Sequence, residues 1–326
     1  MQHCMFQRVI ADRFIWILLA TIALASFLPV RGRMVDAANL AGGAAVFVIF
    51  LLHGIRLSRG EVWSAITNAR VHGAITAFIF IAMPIIGIIL EQLAHVFGLP
   101  HMVALGFLFC GVLPTTVQSA TTYTSLARGN AAISVVASAI NNLAAIALTP
   151  LLFALLAGHG GGVGLSGGLL VKIATILLLP FALGQALQRW TRPWVLARAA
   201  LVRNIDQSAI AIAVYVAFSA AVVAGLWQSM AGSAVPFLAL LLALNLLLAF
   251  GGAWVTGGML RAERPTRIAI LFCGAQKSVA VGAPLAALLF PPSVAGMILL
   301  PVLFYHLLQL MLSAWLATHF DHGQTN

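Results

Sequence analysis

Apolar residues run along this chain in blocks of about 20, separated by short stretches that carry polar residues and arginines. Blocks of that length match the hydrocarbon thickness of a bilayer at a helical rise per residue. The pattern predicts ten helical spans, at 14–30, 37–54, 71–90, 102–127, 131–157, 166–188, 207–229, 233–260, 268–290 and 293–318. A transmembrane barrel would instead read as short alternating segments. The longest polar stretch, 189–207, reads as a loop, and no stretch is left over for a soluble domain. The expected fold class is an all-α polytopic membrane protein with ten transmembrane helices.

Composition agrees: 62% of residues are hydrophobic and 7% are charged. The net charge of +10 changes the picture only through its distribution. With both termini placed in the cytoplasm, the cytoplasmic segments hold Arg8, Arg13, Arg56, Arg59, Arg70, Arg128, Arg189, Arg192, Arg198, Arg203, Arg261, Arg264 and Arg267. The opposite side holds Arg31 and Arg33 alone, which is the positive-inside pattern. The basicity therefore reports topology and a lipid bilayer as partner, and no nucleic acid. The expected location is multi-pass in the plasma membrane, the inner membrane in a bacterium. Arg8 and Arg13 ahead of an apolar run ending in Ala23-Leu24-Ala25 also fit a cleaved signal peptide, which would leave nine spans. Three cysteines (Cys4, Cys110, Cys273) make no disulfide framework, and the two inside spans suit small apolar packing.

The fourth span contains Phe109-Cys110-Gly111 and the ninth contains Phe272-Cys273-Gly274, 163 positions on. Each is the fourth span of a five-span half, so the chain divides into 1–160 and 161–326. An odd number of spans per half makes the second half enter the membrane from the other side, an inverted repeat. Each tripeptide is followed by polar sequence unfriendly to helix: LPTTVQSATT (113–122) and AQKSVAVGAP (275–284). Pro114 removes a backbone donor, and Gly274, Gly282 and Pro284 are expected to weaken the ninth helix similarly. Proline and glycine also kink membrane helices without further purpose. Two breaks matched in position and loaded with polar side chains point instead to a transporter binding site. The candidate site residues are Pro114, Thr115, Thr116, Gln118 and Ser119 in the first break, and Gln276, Lys277 and Ser278 in the second.

The stretches FCGAQKSVAVGAPLAALLF (272–290) and LPTTVQSATTYTSLARGNAAISVVASAINNLAAIALTPLL (113–152) resemble the bile acid:sodium symporter family, and more narrowly its SBF-like orphan branch. The resemblance extends from LLHGIRLSRGEV (51–62) to the last span. It implies a panel domain of spans 1, 2, 6 and 7 and a core domain of spans 3–5 and 8–10. Discontinuous fourth and ninth helices cross in the core, substrate binds near the crossing, and the domains move against each other for alternating access. For sodium it implies Ser119 in the fourth span, Ser134 and Ser138 in the fifth, and Gln276 beside Gly274 in the ninth. An asparagine of the family pattern is replaced by Ala120, its glutamate by Phe272 and a second asparagine by Lys277.

Sodium takes oxygen ligands, preferably with one anionic. The seven acids, Asp12, Asp36, Glu61, Glu91, Asp206, Glu263 and Asp321, all fall at span ends, in loops or in tails. A lysine at mid-span costs about 2.5–3.5 kcal/mol on insertion scales. One reading makes Lys277 a substitute for the sodium charge, neutralising carbonyl ends of the broken helices and capping oxygens of Gln118, Ser119, Ser134 and Ser138. A second gives it the coupling proton or an anionic substrate. In a third it snorkels, over about 13 Å from the span end.

Asn142 shares a helix face with Ser134 and joins the candidate substrate- or ion-binding residues; for it and Asn141 interhelical hydrogen bonding is favoured over ligand contact. Asn245 and His306 read as polar packing, His53 as interfacial, and Lys172 as snorkelling. Asp206 reads as a helix cap, and Arg128-Gly129-Asn130 as a tight turn with glycine past one helix and asparagine capping the next.

The function these features favour is a secondary transporter for a small organic solute, with an organic anion as the expected class. Na+ or H+ is the coupling ion to weigh, sodium being disfavoured by Phe272 and Lys277, and no cofactor is called for. The sequence holds neither a phosphate-binding Gly-x-x-x-x-Gly-Lys-Ser/Thr loop nor a His-Glu-x-x-His helix, and no acid lies within a span, so an enzyme is not expected. The alternative is a transport-degenerate membrane regulator or a channel-like protein.

Overall fold

The computed structural model describes residues 13–56, 68–157, 167–230, 232 and 234–322. Cys4, Arg8, Asp12, Arg59, Glu61 and the proposed boundary between halves lie outside these residues, as do the side chains of Lys172 and Asp321. The described residues are helical, with no strand. Twelve helices follow in chain order. The first six are α1 (Arg13–Phe27), α2 (Met34–Arg56), α3 (Ala69–Val96), α4 (His101–Val112), α5 (Val117–Leu126) and α6 (Ala131–Ala157). The others are α7 (Gly167–Ala197), α8 (Ala199–Val223), α9 (Ala234–Met259), α10 (Arg264–Ala275), α11 (Val279–Leu289) and α12 (Pro292–His322). A single turn, Leu226–Ser229, joins α8 to α9.

Seven spans among the described residues are long and apolar enough to cross a membrane, with α10 and α11 together forming one of them. The pair α4 and α5, bent by 61°, makes an eighth. α1 is a shorter apolar helix of 15 residues.

The expected loop at 189–207 is not one. α7 runs to Ala197 and α8 starts at Ala199, so the polar stretch is almost wholly helical. Its charges mark where the helices leave the apolar zone, not where they end. Arg189 and Arg198 lie 4.3 and 4.8 Å over the rings of Trp190 and Trp194. Val195 and Val202 are buried against Leu52 and Ile55 of α2. Asp206 consequently sits inside α8 rather than at its start, and its carboxylate pairs with Arg56 at 2.5 Å instead of capping the helix.

Backbone geometry repeats at a spacing of 163 residues. Gly98 after α3 has φ +71° and Arg261 after α9 has φ +51°. Around Gly98, N–H groups of Gly98 and Leu99 bond to the carbonyls of His95 and Ala94. Around Arg261, those of Arg261 and Ala262 bond to Gly258 and Gly257, each 163 positions on. α4 and α10 both have 12 residues, and their starts, His101 and Arg264, keep the same offset.

Two sets of neighbours pack closely, and α8 joins them through extensive contact with α12 and α11. α2 packs on α7 and α8, and α8 on α1. α3 packs on α4, α9 on α10, α5 on α6, and α12 on α4 and α11. In the second set the rings of Phe109 in α4, Phe153 in α6 and Phe290 just past α11 meet edge to face at 5.0–5.6 Å. The turn between α5 and α6 partly corrects the expectation. Asn130 does cap α6, accepting the N–H of Ile133 at 3.1 Å, but the left-handed residue is Arg128, at φ +57°, and not Gly129. Gly129 is small for another reason: a Cβ there would lie 2.5 Å from Ile268.

Candidate functional site

The two breaks lie against each other. Leu113, closing α4, has φ −75° and ψ 148°; Gln276, closing α10, has φ −74° and ψ 145°. Thr116 and Ser278 open α5 and α11 from extended backbone. The first break follows from Pro114, which lacks an N–H and drives the residue before it out of the helical region. The second break contains neither glycine nor proline. Gly274 and Gly282 instead make room for neighbours, since a Cβ would sit 2.9 Å from Phe78 and 2.7 Å from Leu113 respectively, and Pro284 lies within α11.

What holds the second break open is lateral hydrogen bonding. Gln309 of α12 accepts the backbone N–H of Lys277 at 2.7 Å and donates to its carbonyl at 2.8 Å. Thr116 Oγ1 donates to the same carbonyl at 2.8 Å, and the N–H of Ser278 donates to the carbonyl of Pro114 at 2.9 Å. Backbone groups satisfied sideways no longer need the helical partner four residues away.

The carbonyls from Gly111 to Thr115, at the broken end of α4 and in the break after it, all have donors. Lys277 Nζ donates to Gly111 at 3.0 Å and to Leu113 at 2.8 Å. Thr149 donates to Val112, Ser278 N–H to Pro114, and Asn142 Nδ2 to Thr115 at 2.9 Å. Lys277 is fully buried and reaches neither interface, which removes the snorkelling reading. Its bonds go to the partial negative charge of a helix C-terminus. They do not go to the side-chain oxygens of Gln118, Ser119, Ser134 or Ser138 expected from the sequence.

Those oxygens have other partners. Ser119 Oγ donates to Gln276 Oε1, whose amide in turn donates to Ser313 at 3.0 Å. Ser134 accepts from Cys273 at 3.2 Å and lies 3.4 Å from Thr121; Ser138 lies 3.9 Å from the same thiol. Every oxygen in this group is neutral. Among the described residues the one buried acid is Glu91, near the end of α3 and 3.9 Å from His95.

A cavity of about 810 Å³ reaches the crossing. Arg13, Arg56, Arg203 and Asp206 line its mouth, at the start of α1, the end of α2 and the first turns of α8. Thr116, Ser278 and His306 line its depth. Of the residues singled out in the sequence, Thr116, Gln118, Ser119, Asn142 and Ser278 face this cavity. Pro114, Thr115, Ser134, Ser138, Gln276 and Lys277 are not part of its wall, though they build the crossing behind it. His53, read as interfacial, also lines it. Asn142 serves both as interhelical hydrogen bonder and as wall. His306, read as packing, lies 2.8 Å from Gln309 and borders the cavity.

Tyr305, Gln309 and Ser313 were not singled out in the sequence. Tyr305 donates to the carbonyl of Ala275 at 2.7 Å, so all three serve the second break. Their spacing of four puts them on one face of α12, a polar stripe in an apolar span, which is the signal that marks them.

Residues 12–322 match the family model described as the SBF-like CPA transporter family. The chain is 38% identical to the uncharacterized protein PA2026 of Pseudomonas aeruginosa over 322 residues, covering 96% of this chain and 94% of that protein. It is 36% identical to the putative symporter YfeH of Escherichia coli K12 over 312 residues, covering 95% and 93%. It is 24% identical to sodium/bile acid cotransporter 7 of Rattus norvegicus over 274 residues, covering 83% and 80%. With its broken helices, its buried crossing and a match that spans nearly every described residue, this chain belongs to the SBF-like CPA transporter family.

Proposed function

We propose that the protein is a secondary transporter that moves a small organic anion by alternating access, with Lys277 in place of a coupling sodium ion. The observation that carries the proposal is the cavity, which runs from an arginine-bearing mouth to the meeting point of two broken helices. Its volume of about 810 Å³ is that of a small-molecule site. Three guanidinium groups against one carboxylate at the mouth favour an anion. Farther in, the hydroxyls of Thr116 and Ser278 and the amides of Gln118 and Asn142 offer neutral hydrogen-bonding groups.

The proposed architecture is ten spans in two inverted five-helix repeats, 1–160 and 161–326. In support, the turns at Gly98 and Arg261, the helices α4 and α10, and the breaks at Leu113 and Gln276 all repeat at an offset of 163. α1, α2, α7 and α8 form the panel and the other helices the core, with the cavity between them. With the arginine-rich end cytoplasmic and both termini there, the conformation is open to the cytoplasm. At the far end panel and core touch: a Cβ on Gly296 of α12 would lie 2.6 Å from the carbonyl oxygen of Ala217 on α8. Transport would open this contact and close the mouth.

Sodium coupling is disfavoured by chemistry. The oxygens that resemblance assigns to sodium are uncharged and bonded to Gln276, Cys273 and Thr121, and an ammonium already serves the carbonyls of Gly111 and Leu113. The test is counterflow of radiolabelled organic anions in proteoliposomes. Exchange that requires preloaded unlabelled solute and persists in choline medium supports the proposal. Labelled solute entering without preloading and without saturation would mark a channel-like protein. No flux for any solute class would mark a regulator.

A further inference from the structure

A second recess, separate from the transport cavity and sharing no lining residue with it, lies where the ends of α9, α10 and α12 converge. It has a volume of about 320 Å³ and is lined by Trp254, Ala262, Arg264, Arg267 and Phe320. Arg267 is held in one orientation by several contacts. Its Nε donates to the carbonyl of Trp254 at 3.0 Å, and its guanidinium lies 3.8 Å from the centre of the Trp254 ring. Gly257 is packed against its stem, where a Cβ would come within 2.5 Å. Trp254 stacks on Phe320 at 5.2 Å, and Arg264 Nη2 donates to the carbonyl of Phe320 at 2.9 Å. Among the described side chains, which do not include that of Asp321, no carboxylate lies within salt-bridge distance of either guanidinium. Two oriented planar forks with donors to spare are the donor set that phosphate oxygens fit.

The surroundings say where the phosphate comes from. On α9, Val255 and Met259 are 56% and 79% exposed; on α12, Met311 and Trp315 are 46% and 60% exposed. In a membrane-spanning helix such side chains face lipid tails. A basic recess beside acyl chains, at the arginine-rich end of the spans, suits an anionic lipid headgroup.

We propose that Arg264 and Arg267 bind the phosphodiester of an anionic phospholipid, with Trp254 and Phe320 as the floor of the site and the acyl chains along α9 and α12. The bound lipid ties together the ends of three helices, including α10, which carries the second break.

The experiment is thermal unfolding of the purified full-length protein in neutral detergent. Phosphatidylglycerol, phosphatidylcholine or inorganic phosphate is added to wild type, Arg264→Gln and Arg267→Lys. Arg264 is exposed and Arg189 lies far along the chain, so Arg189→Gln serves as a charge control. Phosphatidylglycerol is expected to raise the wild-type midpoint by at least about 2 °C, and phosphatidylcholine and phosphate to leave it unchanged. Arg264→Gln and Arg267→Lys should each lose at least half of that rise, while Arg189→Gln keeps it. An equal rise with phosphatidylcholine, or a full phosphatidylglycerol effect in both recess variants, overturns the proposal. So does stabilisation by inorganic phosphate alone that depends on Arg264, because the site would then hold a free anion and not a lipid.

Discussion

Lys277 Nζ donates to the carbonyl oxygen of Leu113 across the meeting point of the two breaks, at 2.8 Å. One residue comes from the break of α10 and α11, the other from the break of α4 and α5. A second bond, to Gly111, makes the lysine a clamp on the open end of α4. Replacing Lys277 with methionine keeps most of the volume and removes the donors. Two buried carbonyls then lack partners, at about 1–3 kcal/mol each. Lys277→Met should lower the unfolding midpoint by roughly 5–10 °C in detergent, while Gln118→Ala, in the open cavity, should change stability by no more than about 0.5 kcal/mol. Differential scanning fluorimetry with a thiol-reactive dye reads both.

Gly296 of α12 packs closely on the carbonyl of Ala217 in α8. A methyl group there must push α12 from α8, so Gly296→Ala should destabilise this conformation by about 1–3 kcal/mol. Gly73, in α3, has open space where its Cβ would be. Gly73→Ala should be neutral or stabilising by up to about 1 kcal/mol, from helix propensity alone. The pair of variants separates close packing from the general cost of glycine in helices, and chemical or thermal unfolding of both decides it.

Arg128 and Gly129 offer a test with opposite signs. Arg128 holds a left-handed φ of +57°, whereas Gly129 is confined by Ile268. Arg128→Gly should stabilise by roughly 0.5–1 kcal/mol, and Gly129→Ala should destabilise by about 1–3 kcal/mol. Unfolding midpoints of the two variants measured side by side provide the check.

Arg13 and Arg203 line the mouth without a carboxylate within salt-bridge distance among the described residues, whereas Arg56 is paired with Asp206. Arg203→Gln should raise the KM for an anionic solute about 3–10-fold at low salt, with less effect at high salt, where exposed charges are screened. Initial uptake rates into proteoliposomes at two ionic strengths measure this.

Seven of the ten expected spans, and an eighth as a bent pair, were legible because twenty-residue apolar blocks are a physical requirement of crossing a bilayer. The first break was legible through Pro114, and the second through its matched position and polar sequence, although Gly274, Gly282 and Pro284, read as weakening the ninth helix, lie within α10 and α11. The stretch 189–207 was misread because its arginines signal exit from the apolar zone, a solvation property, while its backbone stays helical. The geometry of the second break was hidden for a different reason. It depends on Gln309 and Tyr305, some thirty residues away, whose side chains act on backbone groups of Lys277 and Ala275. No local pattern around 276–278 carries that information. The destination of the Lys277 ammonium was half legible: a helix C-terminus could be inferred, but the choice of Gly111 and Leu113 over the serines required the fold.

The most direct test of the central claim, that Lys277 stands where a coupling sodium ion would act, is thermal unfolding of the wild type in sodium chloride against choline chloride at equal ionic strength. A ligand that binds only the folded state raises its midpoint. The account predicts no difference beyond about 1 °C for the wild type, and a sodium-dependent rise only in Lys277→Ala, where the carbonyls of Gly111 and Leu113 are left for a cation. A saturable rise with sodium in the wild type would contradict it, because a sodium site would then coexist with the lysine.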